Sequence, residues 1–411
     1  VKLTATDGEW SIAAGVLDTD LGNNINYAGA LTITSISDKD AALTDYTTSK
    51  TGATSNILTT TDGSNANWSV SATNLDAALT AGVSLVGNLT VTGIVDKAAA
   101  LTDYTAGKTG ATINKLKADD TWSLTTTTLN TALTKGVRLI GDLTVTTIAN
   151  IDETAALAAY TDTLTGATSV KLDAFDNNWS VAATTLNNAL AAKIKFADTD
   201  DLTVTAIDTE ADASTTYSTS NTGATNVTLT ATDGKWSVAA SALDTDLGAS
   251  IKYAGALTVT SVTDKVAALT DYTTAKTGAT TNTLKADDTW SIAATTLDSA
   301  LTAGVRLAGD LTVTGIIHGN EATASATYAT GSTTGATNVT LEAHDGTWSV
   351  AATDLNAAIS SSIKYAGDLT VTAINTKANA STIYSTSNTG ATNVKLTATD
   401  GEWSIAAGVL D

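Results

Sequence analysis

Apolar and polar residues alternate along a 14-residue stretch that recurs in variant forms throughout the chain. The stretch that begins at Val227 reads VTLTATDGKWSVAA. Asp-Gly between two alternating runs is a strong hairpin signal, because a type I′ turn needs positive φ at both central residues. A turn at Asp233 and Gly234 places Ala231 opposite Trp236. The pattern therefore predicts a β-hairpin with an apolar face and a Thr-rich outer face.

A short helix and a second alternating stretch follow. In TTLDSALTAG, Thr295 is the predicted N-cap, Asp298 lies three residues later, and Gly304 ends the helix. The next kind of stretch reads IKYAGDLTVTAI. A three-residue Ala-Gly-Asp loop predicts a second hairpin that pairs Tyr365 with Leu369. The same stretch is equally consistent with a corner of a solenoid.

A second helix completes the pattern. In VTDKVAALTDY, the apolar residues Val262, Val266, Leu269 and Tyr272 fall at helical spacing. The corresponding segments of the fourth, sixth and seventh repeats carry fewer large apolar residues. We therefore expect weaker helices there.

Three sequence markers recur with one period of about 56 residues. The first is a tryptophan followed by serine, at Trp10, Trp68, Trp122, Trp179, Trp236, Trp290, Trp348 and Trp403. The others are TGAT and the strand-like LTVT or LTIT. The first 18 residues also recur letter for letter as residues 394–411, an offset of 393 residues, and the chain begins with Val1. We expect a segment of a longer array of 393-residue units.

The markers divide the chain into a partial module, six whole repeats and a partial seventh. Their bounds are 1–28, 29–86, 87–140, 141–200, 201–254, 255–308, 309–366 and 367–411. The predicted fold is a β-rich (α+β) tandem-repeat protein, a solenoid-like rod whose modules each hold two β-hairpins and short helices. A parallel β-solenoid is the alternative. The seams contain no proline and no Gly/Ser linker, which favours modules packed directly against their neighbours.

Composition narrows the function classes. The 411 residues carry 42 acidic and 21 basic side chains, a formal net charge of −21, which disfavours binding to nucleic acid or to anionic membranes. Without cysteine there are no disulfides and no thiolate metal sites. No apolar run reaches the ~18 residues needed to span a bilayer, so membrane insertion is not expected.

The repeated aromatic and acidic residues are the candidate site residues. We interpret the eight tryptophans as core anchors, and a carbohydrate-stacking surface is the functional alternative. An aspartate also precedes each tryptophan in a turn. Calcium needs several converging oxygen ligands, so the paired aspartates are the weak calcium candidates: Asp119, Asp120, Asp287 and Asp288. No other cofactor is predicted.

Two further function classes can be weighed from the sequence. The LTVT strands place two threonines per repeat on an outward face, and ice binding needs such threonines in flat arrays at ~4.8 Å strand spacing. Catalysis has little support, since the only histidines are His318 and His344 and the only arginines are Arg138 and Arg306. No position unique to one repeat indicates a site with converging acid and base. We therefore predict that the chain is not an enzyme.

The Trp-Ser, TGAT and LTVT modules, free of cysteine and methionine and rich in Thr, Ala and Asp, resemble those of giant secreted bacterial surface proteins. These include adhesin stalks, S-layer-like proteins and extracellular fibres. The resemblance covers the whole chain and is architectural. It implies an extracellular or cell-surface location and self-association or stalk extension, with calcium stiffening as a variant.

Overall fold

A computed structural model describes residues 1–62, 67–317, 319–331 and 333–403. They form two compact units. The first comprises Val1–Val204 with Thr219–Thr225, and the second comprises Thr205–Ser218 with the residues from Asn226 onward. Each unit consists of repeating β-α-β elements whose strands pair in parallel, in a total of five all-parallel sheets.

The strands are short except where two of them fuse into one. Their bounds are β1 Lys2–Ala13, β2 Asn26–Ile36, β3 Ser55–Thr60, β4 Asn67–Ser71, β5 Val83–Leu85, β6 Asn88–Ile94, β7 Ile113–Ala118, β8 Trp122–Thr125, β9 Val137–Ile140, β10 Asp142–Ile148, β11 Ser169–Ala174, β12 Asn178–Ala182, β13 Ile194–Phe196, β14 Asp201–Ile207, β15 Asn226–Ala239, β16 Ile251–Val262, β17 Thr281–Ala286, β18 Trp290–Ala293, β19 Val305–Ala308, β20 Asp310–Ile316, β21 Asn338–Ala351, β22 Ile363–Ile374 and β23 Asn393–Ala398.

The helices connect the strands, and a 3₁₀ turn covers Asn150–Asp152. Their bounds are α1 Ala14–Gly22, α2 Lys39–Asp45, α3 Thr48–Thr51, α4 Ala72–Thr80, α5 Lys97–Asp103, α6 Ala106–Thr109, α7 Thr126–Thr134, α8 Glu153–Ala159, α9 Asp162–Thr165, α10 Ala183–Ala191, α11 Ala213–Thr216, α12 Thr219–Thr222, α13 Ala240–Gly248, α14 Lys265–Asp271, α15 Thr274–Thr277, α16 Ala294–Thr302, α17 Glu321–Thr327, α18 Ala352–Ser360, α19 Ala380–Ile383 and α20 Thr386–Thr389. Among the described residues, none of the helices is both long and apolar enough to cross a membrane.

Each repeat contributes four kinds of strand, which the second repeat shows clearly. In chain order they are the Thr strand (β6, with LTVT), the entry strand (β7, after TGAT), the Trp strand (β8) and the closing strand (β9). The first unit contains the sheets β1-β2-β3-β5, β4-β6-β7-β9 and β8-β10-β11-β13. In the second unit the strands β15-β16-β17-β19 lie side by side, as do β18-β20-β21-β22-β23.

The Trp strand of one repeat joins the sheet of the following repeat. Strand β4 lies in residues 29–86 but pairs with β6, the Thr strand of residues 87–140. Likewise β8 leaves its own repeat and pairs with β10 of the next. In the second unit β18 pairs with β20 in the same way. A complete four-stranded sheet thus needs three strands of one repeat and a strand donated by the repeat before it.

The predicted first hairpin is wrong. Strand β15 continues through Asp233 and Gly234 in one direction, and all its ladder partners on β16 are parallel. Only Gly234 has positive φ (+70°), whereas a type I′ turn needs two such residues. The Asp-Gly pair forms a bulge between Thr230 and Lys235. The alternation of apolar and polar residues correctly predicted a strand with one buried face. That strand pairs in parallel with the next Thr strand, which is part of β16.

The predicted second hairpin is wrong for the same reason. Residues Ala366, Gly367 and Asp368 lie inside the continuous strand β22, which runs parallel to β21 on both sides of Gly367. Tyr365 and Leu369 therefore lie four positions apart in one strand and do not pair with each other. The first half of β22 closes one sheet, and the second half begins the next. The fold class is α/β with parallel sheets, because helical crossovers return the chain to the same strand direction.

Both predicted helices are present, with corrections. Helix α16 begins at Ala294 with Ala293 as an N-cap that makes no side-chain bond, so the predicted Thr295 cap is wrong. Strand β18 ends at Ala293 and the helix follows directly, so the helix starts two positions earlier than predicted. In α14 the cap is Asp264, which accepts from the Ala267 N–H at 3.0 Å. Val266 is 68% exposed and does not belong to the apolar face.

The weaker helices are confirmed in two of three repeats. Helices α11 and α19 have only four residues, and each follows a residue with positive φ that makes no capping side-chain bond. Helix α17 of the sixth repeat has seven residues, as long as α14, so the expectation is wrong there.

The TGAT marker is a buried helix stop. Its first threonine is fully buried in every repeat. In the second repeat the Thr109 hydroxyl accepts from the Ala111 N–H at 3.2 Å and donates to the Thr105 carbonyl at 3.2 Å. Gly110 then adopts φ +82°, a left-handed cap that suits glycine. The motif ends a helix, and the entry strand begins directly after it.

The backbones of Gly234 and Gly255 approach each other closely at the irregular point in the pairing of β15 with β16. A Cβ on Gly255 would lie 2.3 Å from the Gly234 carbonyl oxygen. At the equivalent Gly309 a Cβ meets nothing within 4 Å, although its φ of +100° is close to the +102° of Gly255. The two positions therefore share backbone strain but differ in available space.

We expect Gly255→Ala to destabilise the second unit more than Gly309→Ala. Both substitutions strain a positive-φ position, but only the first also forces backbone against backbone, which typically costs about 1–3 kcal/mol. Urea unfolding monitored by circular dichroism measures the difference. Equal losses in the two variants would show that the close approach of Gly255 to Gly234 does not constrain the fold.

Candidate functional site

The tryptophans lie at the seam between consecutive repeats. Trp122 pairs in register with Leu143 of the next repeat, while its Nε1 donates to the Ile140 carbonyl of its own closing strand at 3.3 Å. Trp236 makes the equivalent contacts with Leu257 and, at 3.0 Å, with the Ala254 carbonyl. Each ring thus joins its own repeat to the one that receives its strand.

Six tryptophans are buried and two are partly exposed. The buried ones are at most 3% exposed: Trp68, Trp122, Trp179, Trp236, Trp290 and Trp348. Trp10 and Trp403 are half-buried. The buried rings offer no face on which a carbohydrate could stack.

Two kinds of neighbour cover the tryptophan rings. In one kind an aromatic side chain of the closing strand packs against the ring, as Tyr253 does against Trp236 with centroids 4.9 Å apart. In the other a lysine lies over the ring, as Lys97 does with Nζ 5.9 Å from the Trp122 centroid. Both contacts favour a fixed ring orientation.

The lysines of the second kind also engage the candidate calcium ligands. Lys97 pairs with Asp120 at 2.5 Å, and Lys265 pairs with Asp288 at 2.5 Å. Asp119 and Asp287 are exposed beside them. No group of three or more potential metal-ligating side chains occurs within the described ranges. The structure brings each of these aspartate pairs to a lysine.

The single aspartates before the tryptophans shape the bulge. The Asp233 carboxyl accepts from the Lys235 N–H at 2.9 Å, and Asp345 accepts from the Thr347 N–H at 3.0 Å. These contacts, two residues apart, are Asx turns. They account for aspartate at this position through local backbone geometry.

The remaining chemistry-bearing residues are dispersed. His344 is exposed on β21, and His318 lies outside the described residues. Arg138 and Arg306 occupy equivalent closing strands, where each donates to a helix carbonyl, that of Leu133 or Leu301, at 3.2 Å. The Thr strands do not neighbour one another, since β6 lies between β4 and β7. Within a sheet, the threonines of successive Thr strands are therefore not adjacent.

A small cleft recurs where the Thr strand ends beside two helices. Between the fifth and sixth repeats it has a volume of about 250 Å³ and is lined by residues that include Thr295, Asp298, Ile317 and Tyr328. The equivalent cleft between the first and second repeats also measures about 250 Å³ and includes Asp76 and Tyr104 on its walls. The carboxyl ends of parallel strands are a common location for ligands.

The cleft is held by a hydrogen bond between its two helical segments. The Tyr328 hydroxyl donates to Asp298 at 2.8 Å, and the Tyr104 hydroxyl donates to Asp76 at 2.8 Å. Burial raises the pKa of both phenols well above the usual value, and the aspartates raise it further. Each phenol therefore stays protonated at neutral pH and acts as a clasp between the helices.

The third repeat contains a pair of buried acids that sequence analysis missed. Trp179 Nε1 donates to Asp200 Oδ2 at 2.7 Å, whereas the other buried tryptophans donate to backbone carbonyls. Asp200 is fully buried, and Glu153 is 6% exposed. Glu153 Oε2 accepts from the Ser180 N–H at 3.0 Å. Aligning the repeats reveals the signal, because Glu153 replaces the lysine found at positions such as Lys97.

Burial raises the pKa of Glu153, and nearby Asp176 and Asp200 raise it further, although the Ser180 hydrogen bond opposes them. The charged carboxylate of Glu153 therefore lowers the free energy of unfolding. That cost is absent below about pH 4.3, the usual glutamate value, and complete above the raised value. We expect Glu153→Gln to raise the melting temperature of the first unit at pH 7 and to match the parent chain at pH 4.

Calorimetry at the two pH values tests this expectation, with Asp152→Asn as the control. Asp152 is the exposed neighbour of Glu153 and loses the same charge, so its substitution should change little at either pH. Each unit by which the pKa is raised corresponds to about 1.4 kcal/mol at pH 7. A stabilisation by Glu153→Gln that is equal at pH 4 and pH 7 would contradict the assignment.

No protein-family model, curated protein or solved structure matches this chain.

Proposed function

We propose that the chain is a segment of a structural array that forms an extracellular fibre, stalk or surface scaffold. The observation that carries the proposal is strand donation. The sheet containing β6, β7 and β9 is completed by β4 from the preceding repeat, and the sheet containing β10, β11 and β13 is completed by β8. Each junction is therefore part of a folded sheet.

This arrangement suits a load-bearing array. In a beaded chain, tension acts on linkers between independent domains. Here the chain passes between repeats inside hydrogen-bonded strands, such as β16 and β22, and a buried tryptophan lies at the junction. Stability then depends on nearest-neighbour interfaces, as in linear repeat proteins. These features support a solenoid-like rod of stacked repeats, held by contacts that recur at several junctions.

Composition and the recurring contacts support the same role and location. The acidic, cysteine-free sequence suits a soluble polymer and does not rely on disulfides. The repeated tyrosine–aspartate clasps and tryptophan seams serve the connection of one repeat to another. The resemblance to secreted bacterial surface proteins supports a location outside the cell, and we propose a non-catalytic function for the array.

Electron microscopy of chains carrying one, two and four copies of the 393-residue unit tests this proposal. We expect particles of constant width whose length increases in proportion to the copy number. Antibodies against the chain should also label the surface of intact source cells. Compact particles whose longest dimension does not grow with copy number, or labelling confined to the cell interior, would refute the proposal.

A further inference from the structure

The face of sheet β4-β6-β7-β9 that points away from its buried core is positively charged. Ser69, Thr90, Lys115 and Arg138 are consecutive partners across its four strands. Lys117 lies two positions along β7 and is exposed, as Lys115 is. All residues of these four strands are described, and none of them is acidic. We call this surface the basic sheet face.

Among the described residues, the cations of this face have no carboxylate partner. No carboxylate lies within 4.0 Å of Lys115, Lys117 or Arg138 in the described residues, although other lysines form eight such pairs. Lys115 and Arg138 are direct neighbours, and like charges side by side on a sheet are unfavourable. In a chain with twice as many acids as bases, this placement indicates an anionic partner.

The second unit repeats the strand register of this face, but Thr283 takes the place of Lys115. Ser237, Thr258, Thr283 and Arg306 are consecutive partners across β15, β16, β17 and β19. Lys285 corresponds to Lys117 and is exposed. The two faces are offset by 168 residues in the sequence and contain the only two arginines.

Acidic helices are present on the same chain, in each of the two units. The helices that follow the Trp strands carry aspartate and no basic residue in α4, α13, α16 and α18. Asp76 of α4 and Asp244 of α13 are exposed and have the same offset of 168 residues. Each unit of a partner copy can thus supply an acidic helix to a basic sheet face.

We propose that the basic sheet face binds the acidic helices of a second copy of this chain, so that arrays associate side by side. This inference rests on the proposed structural function and names its partner. The hydroxyls of the Ser-Thr rows flank the cations and provide uncharged hydrogen-bonding groups around them. Charge complementarity sets which face of one copy meets which face of the other.

Sedimentation velocity of the full chain at physiological salt tests the inference. At that ionic strength the Debye length is about 8 Å, so the overall negative charge is screened while contact pairs persist. We expect concentration-dependent association of the parent chain. Lys115→Glu combined with Lys117→Glu should weaken it at least about tenfold, since both positions would then repel the acidic helices.

The matched control is Lys50→Glu combined with Lys108→Glu, which changes the net charge equally. These lysines form exposed ion pairs with Asp45 and Asp103 on the helical side. The control should associate like the parent chain, and circular dichroism should show all variants folded.

A parent chain that stays monomeric at every concentration, or equal association of both double variants, would overturn the inference. A monomeric chain that instead binds the anionic polysaccharide heparin through Lys115 and Lys117 would also overturn it, since the partner would then be different. None of these results affects the growth of particle length with copy number. The electron microscopy experiment therefore tests the proposed function independently of the association experiment.

Discussion

A fragment of residues 67–140 is expected to fold, whereas a fragment of residues 87–140 is expected to remain largely unfolded. The shorter fragment is one repeat as the sequence markers count it. It lacks β4, so Leu89 and Val91 of β6 lose the strand that covers their edge of the sheet. Its own Trp strand, β8, has no Thr strand to join. The longer fragment restores the donated strand and the complete order β4-β6-β7-β9.

The size of the effect follows from what β4 buries. Trp68 is 1% exposed and Val70 is 4% exposed in the full chain. Losing a buried tryptophan alone costs about 3–5 kcal/mol, comparable to the whole stability of a domain of this length. Circular dichroism and urea unfolding of both fragments measure the difference.

A control fragment separates strand donation from simple chain length. Residues 67–140 carrying Trp68→Ser and Val70→Ser have the same length but cannot fill the apolar positions of β4. This fragment should behave like residues 87–140. If residues 87–140 fold as stably as residues 67–140, the repeat is an independent domain and strand donation is not required.

The sequence predicted the elements better than their connections. Alternation identified the buried positions of β15, including Leu229 and Trp236, because a strand buried on one face has the same period whatever its neighbours' direction. It could not distinguish an antiparallel hairpin from parallel pairing with the next repeat. Asp233-Gly234 then favoured the hairpin, although the same pair also suits a bulge with one positive-φ glycine.

Long-range partners explain most of what the sequence missed. Strand donation joins β8 to a Thr strand about 20 residues later, and no local pattern records that pairing. Val266 fits a helical period counted from Val262, but Val262 belongs to a strand, so the count began outside the helix. The acid pair of Glu153 and Asp200 is separated by 47 positions and is visible only when repeats are compared.

Trp236→Ala is expected to cost about 3–5 kcal/mol, the usual range for a buried tryptophan. The substitution removes a side chain that is 3% exposed and leaves a cavity beside Tyr253, whose ring centroid lies 4.9 Å away. It also removes the donor to the Ala254 carbonyl. Because Trp236 lies at a seam, protection of backbone amides from hydrogen exchange should fall in both halves of β16.

Trp10→Ala provides the matched control for this prediction. Trp10 makes the same two contacts, with the Ala28 carbonyl at 2.9 Å and with Tyr27 at a centroid distance of 5.0 Å, but its ring is half-buried. Its loss should therefore cost distinctly less, because less apolar surface leaves the core. Urea unfolding and hydrogen exchange of both variants measure the costs. A loss below about 1 kcal/mol for Trp236→Ala, within the range of ordinary surface substitutions, would show that the seam tryptophan does not hold adjacent repeats together.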